Sequence, residues 1–344
     1  MSLSNSILLR VSSSATALAM DVLLSIPLIS AVLTPSLSTS VNILFFYATW
    51  SALVLSHKPE AIHATSLLVV RVIFWLVPSL LFLAFDYGIP SIAGSIKFEG
   101  AKRLPRRPLR LIGLATFNML LVVAAESGVS WLYTFATGRT LYKVSTTLPL
   151  PWQMFKQMSF LFTARETLTY YIHRYMLHEG AVLPLLTRLH TSYSHGEPIG
   201  ALQLYADHPL PLVIYHLVPV LLPALVLHPH LLTYLTFTLL TTIEGTLVTS
   251  GYSIVPGIFL GGIARRTAKH YASKGTANYG AWGVLDWAHG TSKGKDVMDD
   301  ARDEADKHNL KERSSAKLDD GAGMVQDGVD ALRRSTRKRN PRMT

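Results

Sequence analysis

From residue 22 to residue 56 the chain carries no charged side chain, and other long apolar stretches follow. Residues 64–85 are interrupted only by Arg71, and 111–125 continue past Glu126 to about Phe135. Residues 209–227 are apolar apart from His216, and 231–264 apart from Glu244. About 20 helical residues cross a hydrocarbon core of roughly 30 Å, so stretches of this length predict a polytopic helical membrane protein. The overall balance agrees: 49% of the 344 residues are hydrophobic and 16% charged, more apolar than a soluble domain. The first stretch is too long for a cleaved signal peptide, and Pro27 and Pro35 fit a kinked span or a two-span hairpin.

A net charge of +10 raises the question of nucleic acid, but its placement answers it. Lys102, Arg103, Arg106, Arg107 and Arg110 cluster in a Pro-containing loop between apolar stretches, which the positive-inside tendency puts in the cytosol. A second basic run, Arg333, Arg334, Arg337, Lys338 and Arg339, lies near the end. No nucleic-acid-binding fold accompanies either run, so no nucleic-acid partner is expected. The bilayer is the expected partner.

Three regions follow: an N-terminal transmembrane region (1–150), a histidine-rich region (151–291) and a charged tail (292–344). The tail has little apolar content to offset ordering entropy and is expected to be largely disordered, with a weak helical tendency over 299–311. Helical periodicity through Trp152, Met154, Phe155, Met158 and Phe162 predicts a helix over 152–178, started by Pro149 and Pro151. Residues 210–227 and 231–250 read as a hairpin of two spans.

The chain has no cysteine, so any metal must be held by nitrogen and oxygen. Five histidines fall within 36 residues: His173 and His178, His190 and His195 with the same H-x4-H spacing, and His208. Imidazole is the commonest side-chain metal ligand, and such crowding points to a transition-metal site. On an ideal α-helix positions i and i+5 stand about 140° apart. One pair is then poorly placed to clamp a single ion; two pairs at facing helix ends suit a dinuclear centre, or one metal with the helix ending between its ligands. Glu244, a carboxylate in an apolar stretch, is a functional candidate or an interhelical polar contact. His216 is as readily a hydrogen-bonded core residue as a ligand, whereas His57, His63 and His308 are expected to be unrelated to the site.

Tyr171-Ile172-His173-Arg174-Tyr175-Met176-Leu177-His178 resembles the first histidine box of the fatty acid hydroxylase/sterol desaturase superfamily. The resemblance continues through Asp207-His208-Pro209-Leu210, Ser250-Gly251-Tyr252, Asn278-Tyr279-Gly280 and Leu285-Asp286-Trp287-Ala288-His289-Gly290-Thr291, covering about 150–292. Leu189-His190-Thr191-Ser192-Tyr193-Ser194-His195 looks most like a fungal branch. The resemblance implies an all-α membrane fold with a cytosolic-facing, histidine-rich helical cap, multi-pass in the endoplasmic reticulum. It further implies a di-iron centre that uses O2 to hydroxylate or desaturate a sterol, a fatty acyl chain or another apolar, lipid-like substrate. No nucleotide fingerprint or fused haem domain is encoded, so the electrons come from a separate membrane donor such as a b-type cytochrome with its reductase. On this reading His173, His178, His190, His195 and His270 ligate metal, with His208 and His289 as further candidates. Asp207 and Asp286 orient histidines, and Glu244 joins the catalytic set.

Two departures stand out. Ser194 precedes His195 where the superfamily has adjacent histidines, and the third box retains only His270, as though about three residues were missing before Asn278. The alternatives are therefore a catalytically impaired member acting as a lipid-binding or scaffold protein, or a misplaced splice boundary in an intact enzyme. His228 and His230, flanking Pro229, are possible substitutes for the missing imidazoles.

Overall fold

A computed structural model of the chain describes residues 21, 22, 25, 37–180, 182–194 and 198–307. The described residues are helical, with isolated bridges at Lys97–Tyr252 and Lys143–His230 and no strand. The named helices are α1 (Leu37–Ser56), α2 (Pro59–Gly88), α3 (Pro108–Thr137), α4 (Pro151–Tyr171), α5 (Pro184–Ser194), α6 (Pro209–Leu227), α7 (Leu231–Thr249), α8 (Ile258–Ala272), α9 (Val284–Ala288) and α10 (Val297–Lys307). Helices α2, α3, α6 and α7 are long and apolar enough to cross a membrane. Pro27 lies outside the described residues, as does Pro35, so the N-terminal hairpin expectation does too.

Local chemistry sets these boundaries. Pro59, Pro108, Pro151 and Pro209 each open a helix, where the missing N–H costs nothing and the ring presets φ. Gly138, at φ 68°, ends α3 in the left-handed conformation that glycine adopts without strain. The expected hairpin is present as α6 and α7. His228 takes a left-handed φ of 46° at its turn, and His230 Nδ1 accepts the Leu232 N–H at 3.2 Å to cap α7. The His230 ring thus serves the turn, while His228 Nδ1 bonds the Leu141 carbonyl at 3.1 Å, both at the end of the hairpin opposite Asp207.

Helix α6 packs against α3 and α4, while α7 packs against α2, α4 and α8. Trp75, Met119, Leu161, Leu212, Tyr234 and Phe237 interlock between them with almost no exposed surface. The lone charges of two apolar stretches meet inside this bundle. Arg71 Nη2 on α2 lies 2.5 Å from Glu126 Oε2 on α3, and the Tyr234 hydroxyl on α7 donates to the other carboxylate oxygen. His63, expected to be unrelated to the site, is buried beside them, with its ring 4.7 Å from that of Tyr142. Taking a single ion into such an interior costs several kcal/mol, so opposite charges must meet there.

Asn118 on α3 connects the bundle to the histidine region. Its Nδ2 donates to the carbonyls of Tyr205 and Asp207, both at 2.8 Å. Residues up to Gly294 form one unit and those from Lys295 another. Within the second unit, 297–307 is a regular helix. Asp296 Oδ1 caps it, accepting the N–H groups of Met298 (2.8 Å) and Asp299 (2.9 Å). The reciprocal cap and the acidic first turn favour this helix, which overlaps the weak helical tendency expected over 299–311. Residues 308–344 lie outside the described residues.

Candidate metal centre

Helix α4 does not end at Tyr171. Its register widens into a π turn over Ile172–His178, which carries the first H-x4-H pair. In a π turn the hydrogen bond runs from i to i+5, so residues five apart become neighbours on one face. His173 Nε2 and His178 Nε2 lie 3.1 Å apart. This differs from the α-helical expectation that an i,i+5 pair is poorly placed to clamp a single ion. The 140° separation belongs to an α-helix, and these residues are not in one.

His190 comes from α5, whose Thr187 hydroxyl donates to the Met176 carbonyl at 2.9 Å and fixes the helix against the π turn. Ligand atoms of His173, His178 and His190 all lie within 4.8 Å of one another. His270, near the end of α8, joins them, with its ring centroid 4.7 Å from His173 and 5.0 Å from His178. Imidazoles from three helical segments therefore cluster, with the ligand atoms of His173, His178 and His190 closest together and His270 facing the first two.

Backbone and carboxylate oxygens aim three of these rings. His173 Nδ1 bonds the Tyr279 carbonyl (2.8 Å), His270 Nδ1 the Ala277 carbonyl (2.7 Å) and His190 Nδ1 Asp207 Oδ2 (2.5 Å). Such partners fix the tautomer and leave Nε2 for a metal. His190 Nε2 is buried with no hydrogen-bond partner, an orphaned acceptor of the kind a bound cation satisfies. Burial, together with the facing rings of His270, His178 and His190, holds His173 well below the usual imidazole range, so it is neutral at physiological pH, as ligation requires. Orphaned nitrogen, anchored tautomers and an all-nitrogen donor set fit a transition metal such as iron.

Asp286 acts one step further back than expected. It is fully buried and accepts the N–H groups of Tyr279 (2.8 Å) and Gly280 (2.7 Å) and the Thr291 hydroxyl (2.7 Å). It thereby positions the Tyr279 carbonyl that orients His173, and it touches no imidazole among these bonds. Glu166 on α4 accepts the Trp282 N–H at 2.7 Å and holds the same loop; burial pushes its carboxyl upward. A Cβ on Gly280 would stand 2.9 Å from Glu166 Oε1 and 3.0 Å from Asp286 Oδ2, so the loop passes between the two carboxylates only as glycine.

Other candidates stand elsewhere. His208 Nδ1 accepts the Leu210 N–H at 3.2 Å and caps α6. His289 is exposed, stacks on Tyr170 and bonds the Leu285 carbonyl through Nδ1 at 2.9 Å, away from the four-ring cluster. Glu244 forms a two-pronged ion pair with Arg165 of α4, at 3.0 and 3.1 Å, and is an interhelical contact on the cavity wall rather than a partner of the histidines. His195 lies outside the described residues. The signal that would have found the Arg71–Glu126 pair is simple: single charges of opposite sign, each isolated in an apolar stretch.

A cavity opens beside the four imidazoles. Leu204, Leu212, Tyr215 and Val248 line its side towards α6 and α7, while Gln203, Tyr271 and Tyr279 line other parts of it. The helices that reach the histidines thus belong to the same bundle as the candidate spans. A helical membrane protein with a buried, histidine-lined metal-type site is the class this arrangement defines. The sequence comparison narrows it: residues 158–291 match the fatty acid hydroxylase family, in keeping with the fatty acid hydroxylase/sterol desaturase superfamily. The matched segment contains all four clustered histidines, Asp207 and Asp286. No solved structure matches the chain.

Proposed function

We propose that this protein is a membrane-bound, iron-dependent oxygenase of the endoplasmic reticulum that hydroxylates or desaturates a lipid-like substrate. A sterol, a fatty acyl chain and an apolar secondary metabolite all fit this description. One observation carries the reading: His173 and His178, His190, and His270 come from three separate motifs of the hydroxylase segment and line one cavity shared with the candidate spans.

Bound iron would supply the redox chemistry that activates dioxygen. The chain's own groups prepare the place for it. Asp207 and the Tyr279 and Ala277 carbonyls keep protons on the outer ring nitrogens of His190, His173 and His270, so that the inner ones stay available. Leu204, Leu212 and Val248 present an apolar wall to a hydrocarbon substrate and limit water near the reacting C–H bond. Tyr215, with its ring 4.9 Å from that of His173, stands between this wall and the donor set. Hydroxylation takes one C–H bond, O2, two electrons and two protons to an alcohol and water; desaturation takes two adjacent C–H bonds and the same electrons to an alkene and two waters. A separate membrane electron donor, such as a b-type cytochrome with its reductase, supplies the electrons.

The test is turnover of the full chain in nanodiscs with iron, an electron donor and lipid extract under labelled dioxygen. The expected result is a lipid product gaining one labelled oxygen or losing two hydrogens, absent in His190→Ala. No product from an iron-loaded, folded protein with a competent donor would overturn the catalytic reading. It would favour instead a lipid-binding or scaffold role, to which the single imidazole of the segment 269–278 already lends weight.

A further inference from the structure

We propose that Gln203 is a specificity-determining residue, whose side-chain N–H donates to a hydroxyl or carbonyl oxygen that the lipid carries into the histidine-lined cavity. The proposal rests on the lipid-directed reading above and names what in the lipid is recognised.

Several polar groups of the cavity wall are engaged by the protein itself. Arg165 and Glu244 pair with each other, Asn278 Nδ2 donates to the Arg266 and Lys293 carbonyls, and the Thr249 hydroxyl donates to the Gly245 carbonyl. Among the described residues that line the cavity, two buried side-chain atoms have no hydrogen-bond partner, His190 Nε2 and Gln203 Nε2. They differ in kind. With its proton held on Nδ1 by Asp207, the imidazole offers a lone pair, which a cation satisfies. The amide N–H offers a proton, and only an acceptor atom satisfies that. Gln203 is 7% exposed, so bulk water does not supply the acceptor.

The backbone that carries this amide is held on several sides. Gln203 lies in a short 3-10 helix, Ala201–Tyr205, packed against α2, α3 and α7. Trp75 Nε1 of α2 donates to the Ala201 carbonyl at 3.0 Å, and His216 Nε2 of α6 bonds the Leu204 carbonyl at 2.9 Å. Asn118 of α3 holds the Tyr205 carbonyl, as described above. The Gln203 N–H donates to the Gly200 carbonyl at 2.8 Å, and its own carbonyl accepts the Ala206 N–H at 3.2 Å. Helix α7 comes so near that a Cβ on Gly245 would stand 3.0 Å from Leu204 Cδ2. The segment is thus fixed from four helices while its amide stays unpartnered. A buried donor loses its hydration whether or not it finds a partner, so an amide clamped in a cavity wall points to a ligand that completes it. Four residues on, Asp207 orients His190, so one short segment sets both the substrate donor and the aim of a metal-type ligand.

The two kinds of wall define the substrate together. Leu204, Leu212 and Val248 suit a hydrocarbon body, and Gln203 suits an oxygen attached to it. A hydrocarbon lacking that oxygen would leave the N–H unpaired, the situation in which polar sites discriminate most strongly.

The experiment is native mass spectrometry of the full chain released from detergent, titrated with two matched pairs of probes: 1-hexadecanol against hexadecane, and cholestanol against cholestane. In at least one pair the alcohol should be retained about tenfold more tightly than the hydrocarbon. Gln203→Met should abolish the difference by weakening the alcohol alone. Gln203→Asn, which withdraws the amide by one methylene, should abolish it too and provides a second variant should the first not fold. No preference in either pair, or a preference that survives both substitutions, would overturn the proposal; the amide would then serve the smaller neighbouring cavity that it shares with Ser79. Product formation under labelled dioxygen judges the oxygenase reading separately. A preference without product overturns that reading and keeps the proposal, and product without a preference does the reverse.

Discussion

Two buried polar clusters, one within the span bundle and one at the end of the α6–α7 hairpin, solve the problem of burial differently. Arg71 and Glu126 are charged and cancel each other, with the Tyr234 hydroxyl completing the carboxylate. The histidine rings face one another, and three of them, His173, His190 and His270, are anchored by their outer nitrogens. The first arrangement is closed, because each charge finds its complement inside the protein. The second is open, because His190 Nε2 has no partner among the protein's own atoms. A buried cluster that already balances its charge stabilises a fold; one that leaves a donor unspent is prepared for a ligand.

The sharpest way to break this contrast is to remove one half of the closed cluster. Glu126→Leu leaves Arg71 buried without its counter-charge and should destabilise the fold by about 3–5 kcal/mol. Arg71→Met together with Glu126→Leu should recover most of the loss. Denaturant or thermal unfolding in a defined detergent measures both, and equal instability of the single and double variants would show that the pair is not the reason.

In the open cluster the loss should fall on the ligand. Asp207→Asn keeps the shape but weakens the hold on the His190 Nδ1 proton, and is expected to lower metal affinity by about 10–100-fold. Helix content by circular dichroism should remain that of the parent. Unchanged affinity in a competition titration would remove Asp207 from its orienting role.

The smallest expected effect is a pH dependence of the metal-free protein. His173 is held below its usual value of 6.5 in the fold, so the unfolded chain takes up a proton first as pH falls. Stability should be full above about pH 6.5 and decline below it, by at most about 1.4 kcal/mol per pH unit for one proton. His173→Gln should flatten that limb in unfolding curves collected from pH 7.5 to 5. An unchanged slope would assign the proton to another group.

Much of this arrangement can be read from the residues, for definite reasons. Apolar length gives the spans, and prolines at 59, 108, 151 and 209 mark helix starts because the first turn accepts them without losing a hydrogen bond. Pro219 and Pro223 show that α6 also holds prolines in its interior. The hairpin boundaries expected at 210–227 and 231–250 differ from the observed ones by one residue. What could not be read is register. H-x4-H implies divergence on an α-helix and convergence in a π turn, and nothing in Ile172-His173-Arg174-Tyr175-Met176-Leu177-His178 announces which. Residue type was equally silent about role. His208 and His230 cap the two helices of the hairpin through Nδ1, a use of imidazole that no spacing distinguishes from ligation.

Asp207 carries a wider consequence. Its carboxylate steadies His190, while its own carbonyl is gripped by Asn118 in the middle of α3. The donor set is therefore surveyed from inside the bilayer, like an instrument levelled from a distant benchmark. A shift of α3, however far from the imidazoles, reaches His190 through two bonds and one residue.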